Sequence, residues 1–112
     1  MSTEGGRRAE ARAAQHLRAQ GFRILEQNWR TRWCEIDLIA RKGQVIYFVE
    51  VKYRGSSAQG GGLDYITPKK LQQMYFAATL WMASADAASD YRLAAMELSG
   101  PNYEVTAWLD DI

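Results

Sequence analysis

The run Val45–Val51, VIYFVEV, constrains the fold of this chain more than any other stretch. Six of its seven residues are β-branched or aromatic, so it reads as a strand buried on both faces. Successive strand side chains point to opposite faces, which puts Glu50 and the following Lys52 on one side and Val49 and Val51 on the other. A carboxylate in such a run is costly unless something pairs with it. Glu50 and Lys52 therefore form either a local ion pair or part of a site.

The rest of the chain supplies what a buried strand needs. Glu4 to about Gln20 is built of helix formers and stopped by Gly21. Strand-like stretches follow at 22–29, 33–41 and 44–53, with Lys42 and Gly43 as the hairpin turn between the last two. The Gly- and Ser-rich segment 55–65 reads as a mobile loop. Thr67 then looks like an N-cap and Pro68 a first-turn proline, opening a second helix that runs to about Ser84. Two strands, 91–98 and 103–109, close the chain around a turn at SGPN. The expectation is one α/β domain over residues 1–112, a mixed sheet flanked by helices in the order α-β-β-β-α-β-β.

Helical period sharpens this picture. Gly6, Glu10, Ala13, Ala14 and Leu17 share one stripe of the first helix, so a second carboxylate, Glu10, sits in an apolar face. On the second helix, Leu71, Met74, Tyr75, Ala78, Met82 and Ala85 form the expected core side. Lys70 lies at the border of that stripe and can lean toward the sheet, whereas Lys69 lies nearly opposite.

Several function classes recede. A lone cysteine, Cys34, and a lone histidine, His16, build neither a disulfide nor a zinc site. With His16 on another element, Cys34 also lacks a base to activate it. The absence of a membrane-length apolar run and of an apolar leader core points to a cytoplasmic protein that does not enter membranes. The net charge of +1 hides an asymmetry: residues 1–54 carry 11 Lys and Arg against 6 Asp and Glu, and residues 55–112 carry 3 against 7. A basic half is the footprint of a surface that meets phosphates, and DNA is the expected partner. Arg7, Arg8, Arg12, Arg30, Arg32, Arg41 and Arg54 are candidates for backbone contacts. Trp29, Trp33 and Tyr53 are candidates for base stacking, although aromatic residues beside strands more often pack in cores.

The strand before the buried run, WCEIDLIA, alternates Glu35, Asp37 and Ile39 on one face with Ile36 and Leu38 on the other. Asp37 and Glu50 thus fall on neighbouring strands of a hairpin, close enough for one hard divalent cation to touch both. Lys52 would stand beside that ion, and Glu10 would be a further ligand or outer anchor. Each charge alone is more often an ordinary salt bridge. Together they leave more carboxylates than one lysine can neutralise, so a bound cation explains more than pairing does. Two rivals stay open: a non-catalytic nucleic-acid-binding module, and a degenerate fold serving as an interaction scaffold.

The order Asp37, then Glu50, Val51 and Lys52 is similar to the PD-(D/E)xK nuclease motif, with Ile36 in place of the proline. More narrowly, AEARAAQHLRAQGFRILEQNWR, CEIDLIA, FVEVKYR and TPKKLQQM together resemble the YraN family of bacterial proteins, predicted endonucleases akin to archaeal Holliday junction resolvases. The resemblance implies a restriction-endonuclease-like core and metal-dependent cleavage of branched or structured DNA. It implies Mg²⁺, or Mn²⁺ in its place, at Asp37, Glu50 and Val51. Glu10, Asp37, Glu50 and Lys52 match the family's active-site signature, and Lys70 its helix lysine, a phosphate contact. A homodimer follows by analogy with resolvases. One departure is Cys34, which stands where the family usually has glycine.

Overall fold

A computed structural model of the chain describes residues 4–55 and 64–112. It contains α1 (Glu4–Ala19), β1 (Arg23–Arg30), β2 (Glu35–Lys42), β3 (Val45–Arg54), α2 (Pro68–Ser84), β4 (Asp90–Ser99) and β5 (Glu104–Leu109). The expected element order is the observed one. The interior of the Gly- and Ser-rich segment, including Gly60 to Gly62, lies outside the described residues.

The five strands form one mixed sheet in the order β1-β2-β3-β4-β5. Neighbours are antiparallel except β3 and β4, which run parallel along their whole lengths from Val45↔Asp90 to Arg54↔Ser99. Parallel neighbours need a crossover, and α2 supplies it. The hairpin between β2 and β3 closes at Lys42↔Val45 through Gly43, whose φ of 61° only glycine adopts freely. The turn is therefore Gly43 and Gln44, one residue later than expected.

Two cores lie on opposite faces of the sheet. On one, Ala9, Ala13, Ala14 and Leu17 of α1 pack against Leu38, Tyr47, Val49, Met96 and Leu98. The alanines let the helix backbone sit close to the strands. On the other, Ala77, Ala78, Trp81 and Met82 of α2 pack against Ile36, Ile39, Ile46 and Phe48. Phe48 and Trp81 meet edge to face at 5.7 Å. The Trp81 indole N–H also donates to the Glu26 carboxylate.

Trp81 explains a difference from the expected face of α2. The buried stripe is Met74, Ala77, Ala78, Trp81 and Met82, rotated away from Tyr75 and Ala85. Tyr75 is 59% exposed. Seating the largest apolar ring against Phe48 outweighs seating Tyr75, because α2 carries apolar residues nearly all round and its period alone does not choose a face.

Candidate active site

Strict alternation along β2 fails at Asp37. Leu38 belongs to the α1 core, but Ile36 and Ile39 both belong to the α2 core, so Ile36 is not on the face shared with Leu38 that simple alternation expects. The cause lies across the ladder. β1 and β2 pair at Gln27↔Leu38 and Trp29↔Ile36, which leaves Asn28 opposite Asp37, and Asn28 adopts a left-handed φ of 52°. Asparagine tolerates that conformation better than most residues. The resulting kink inverts the pleat, and Trp29 and Ile36 turn together toward α2.

On the other side of Asp37, β2 and β3 part. Their pairing runs from Lys42↔Val45 only as far as Leu38↔Val49. Continued one step, the register sets Asp37 opposite Glu50, but there the Asp37 carboxylate replaces a backbone partner: Oδ2 accepts the Val51 N–H at 2.8 Å. The N–H and C=O of one strand residue point to the same side. The Val51 carbonyl thus faces the same opening as Asp37, while β3 keeps its bonds to β4.

Burial and charge leave Asp37 short of positive partners. Desolvation pushes its pKa from 3.8 to about 8, and Glu50 and Glu10 push in the same direction, against smaller lowering by the Val51 N–H and Lys70. Glu10 comes from the α1 side, buried to 7% exposure within the alanine stripe. Among the described residues its Oε1 has no hydrogen-bond partner. Burial raises its pKa most, and hydrogen bonding from the Asn28 side chain opposes this. Glu50 lies on the α2 side, where its Oε2 meets Lys70 Nζ at 3.1 Å. The border position of Lys70 on α2 therefore leads to the sheet. The N-cap places it there: the Lys70 N–H donates to Thr67 Oγ1 at 3.1 Å.

Lys52 shares the Glu50 face but pairs with neither carboxylate. It is exposed, and its Nζ sits 5.7 Å from the centre of the Tyr65 ring. Glu10, Asp37 and Glu50 are electrostatically coupled, yet no three His, Cys, Asp or Glu side chains among the described residues are grouped closely enough to hold a metal by themselves. The groups that could hold a hard cation are the narrower set of Asp37, Glu50 and the Val51 carbonyl, with Glu10 behind it. Two carboxylates suit Mg²⁺, which keeps several of its waters.

The expected DNA-contacting residues scatter more widely. Arg7 and Arg12 are exposed on α1. Arg8 pairs with Glu4 at 3.0 Å. Arg30 faces Glu35 at 3.7 Å. Arg32 lies over the Trp33 ring at 5.4 Å. Arg41 sits near the far end of β2. Arg54 differs from the rest: only 16% exposed, it is held by Glu97 at 2.6 Å and Asp64 at 2.9 Å, so its charge is already spent inside the protein. Tyr53 is likewise packed, stacking on Tyr103 at 4.7 Å.

Two residues escaped the sequence reading. Glu97 is 4% exposed on β4, directly across from Lys52. An acid inside AAMELS is the same signal that marked Glu50 in FVEVKYR, and it could have been read. Tyr65 carries no such signal, yet its phenol is held well above its ordinary pKa by burial, Glu50, Glu97 and Asp37. Beside these groups, a groove of about 660 Å³ runs between the segment joining β1 to β2 and the first turns of α2.

The family model for "Uncharacterised protein family UPF0102" matches residues 9–98, a span that holds Glu10, Asp37, Glu50, Lys52 and Lys70. A UPF0102 protein of Alkalilimnicola ehrlichii is 48% identical over 79 residues, covering 70% of this chain and 63% of that protein. One from Stutzerimonas stutzeri is 44% identical over 81 residues, covering 72% and 68%. One from Anaeromyxobacter dehalogenans is 50% identical over 76 residues, covering 68% and 57%. The chain thus spans less than two thirds of the length of the first and third of these relatives. No described helix is long and apolar enough to cross a membrane.

Proposed function

The chain belongs to the uncharacterised protein family UPF0102, the YraN family, and we propose that it is a metal-dependent endonuclease that hydrolyses phosphodiester bonds in branched or otherwise structured DNA. The observation that carries this reading is the place where β2 and β3 part. A buried carboxyl there takes a backbone N–H in place of a ladder bond, beside a second carboxylate and an inward-facing carbonyl. Hard oxygens on adjacent strands, with Lys70 paired to only one of the two carboxylates, suit Mg²⁺ or Mn²⁺. Such an ion, when bound, supplies Lewis acidity toward a phosphate oxygen and makes water a better nucleophile at neutral pH.

The chain's own residues divide the remaining work. The Val51 N–H fixes the Asp37 carboxyl, which, with its pKa pushed up to about 8, would give up a proton in holding a cation. Glu50 would be the second ligand, and Lys70, which pairs with it at 3.1 Å, stands where its ammonium could meet a substrate phosphate. Glu10 raises the negative potential from behind. Lys52, two residues beyond Glu50 on the same strand face, offers an ammonium to orient the attacking water or the phosphate. DNA as partner, a homodimer and a cytoplasmic location belong to the same proposal.

The test is incubation of the purified protein with four-way junction, flap, single-stranded and duplex DNA in Mg²⁺ or Mn²⁺. Wild-type protein gives cut products that depend on the ion, and Glu50→Ala and Lys52→Ala give none. Binding without products under every condition leaves a binding module and ends the nuclease reading.

A further inference from the structure

The groove beside the carboxylates has a composition that simple solubility does not call for. One wall is the connection between β1 and β2, where Trp33 is 70% exposed. That connection is braced: the N–H groups of Trp33 and Cys34 both donate to Thr31 Oγ1, at 3.1 and 3.3 Å, and the Thr31 N–H donates to the Cys34 carbonyl at 2.8 Å. Trp33 is thus displayed by an ordered turn. The other wall is α2, which contributes Phe76, 52% exposed, together with Lys69 and Lys70. Arg30 completes the lining cations, opposed by the single carboxylate of Glu35. Lys70 belongs to the groove and to the carboxylate site at once, since its Nζ touches Glu50.

Two displayed aromatic rings among three cations match the surface that binds single-stranded nucleic acid, where bases stack on rings and ammonium or guanidinium groups follow the phosphates. Size points the same way. At about 660 Å³ the groove falls within the range that holds a compact ligand, a size suited to unstacked bases. We propose that this groove seats an unpaired stretch of DNA, stacking its bases on Trp33 and Phe76 and leading its backbone over Lys69 and Lys70 to the Asp37 and Glu50 carboxylates. The substrate then carries a single-stranded arm next to the bond that is cut. This role in substrate choice rests on the nuclease reading; the binding itself does not.

Binding is measured without divalent ions, in EDTA, so that cleavage plays no part. Fluorescence anisotropy of labelled oligodeoxythymidine is compared with that of a duplex of equal length. Wild-type protein prefers the single strand. Trp33→Ala and Phe76→Ala each lower that preference by about tenfold or more, the loss expected when a base gives up a stacking ring. Trp33→Phe restores most of it, which separates stacking from damage to the turn. Equal losses on both DNAs, or no loss in either variant, overturn the proposal. Glu50→Gln separates this outcome from the nuclease reading: retained single-strand preference with lost cleavage supports both, and lost preference through Glu50 alone contradicts the groove.

Discussion

The two halves of β3 share one strand and little else. Val45–Val49 bonds to β2 on one side and β4 on the other, and its residues from Ile46 to Val49 are buried. Glu50–Arg54 keeps only β4. Its freed side meets the Asp37 carboxylate, and charged side chains appear at every second residue: Glu50, Lys52 and Arg54. Strand propensity hardly changes along the run; what changes is whether a neighbour covers it. Where both ladders are complete the strand is core, and where one ladder ends the freed Val51 N–H takes a carboxylate instead of a neighbouring strand.

This contrast breaks most sharply in activity. Glu50→Gln keeps the shape of the second half and removes its charge. Ion-dependent cleavage is expected to fall on the order of a thousandfold, the worth of several kcal/mol of metal-centred stabilisation, while the melting temperature hardly moves. A variant that cleaves like wild type places the chemistry elsewhere. Phe48→Ala does the reverse in the first half. Phe48 is fully buried against Trp81 and Tyr91, so its truncation costs about 3 to 5 kcal/mol in denaturant melts. A cost under about 1 kcal/mol would mean that the α2 core is not close-packed there.

A third effect appears in stability against pH, measured in EDTA. The folded pKa of Asp37, about 8, lies above its ordinary 3.8, so the folded state binds more protons within that window. Stability therefore falls as pH rises from about 4 to about 8, by a few kcal/mol. Asp37→Asn removes that fall. An unchanged slope in the variant assigns the titration to another group. Smallest is Lys70→Met: losing the cation that lowers the Asp37 pKa moves the same transition upward by less than about one pH unit, roughly 1.4 kcal/mol. A downward move would mean that Lys70 does not act on Asp37.

The fold was legible because its signals are local. Thr67 and Pro68 open α2, Gly21 follows α1, and an unbroken β-branched and aromatic run can only be central. That Asp37 and Glu50 lie on neighbouring strands was legible from the short hairpin, but their register was not: the turn at Gly43 and Gln44, one residue later than expected, moves the position opposite Asp37 from Phe48 to Glu50. The kink was not, since it depends on the conformation of Asn28, a residue on a third strand. Nor was the engagement of Arg54, because Glu97 lies 43 residues away and only the parallel register brings them together. Helical period misplaced Tyr75 for the same reason: with several apolar faces to choose from, the decision rested with Phe48 on the sheet.

We propose that the gap between β2 and β3 holds one divalent cation between Asp37 and Glu50. Calorimetric titration of Mn²⁺ at neutral pH, repeated in buffers of different ionisation enthalpy, measures both binding and the proton released. A single saturable site with proton release is expected in the wild-type protein, lost in Asp37→Asn and in Glu50→Gln. Equal Mn²⁺ binding by the wild-type protein and both variants would contradict it.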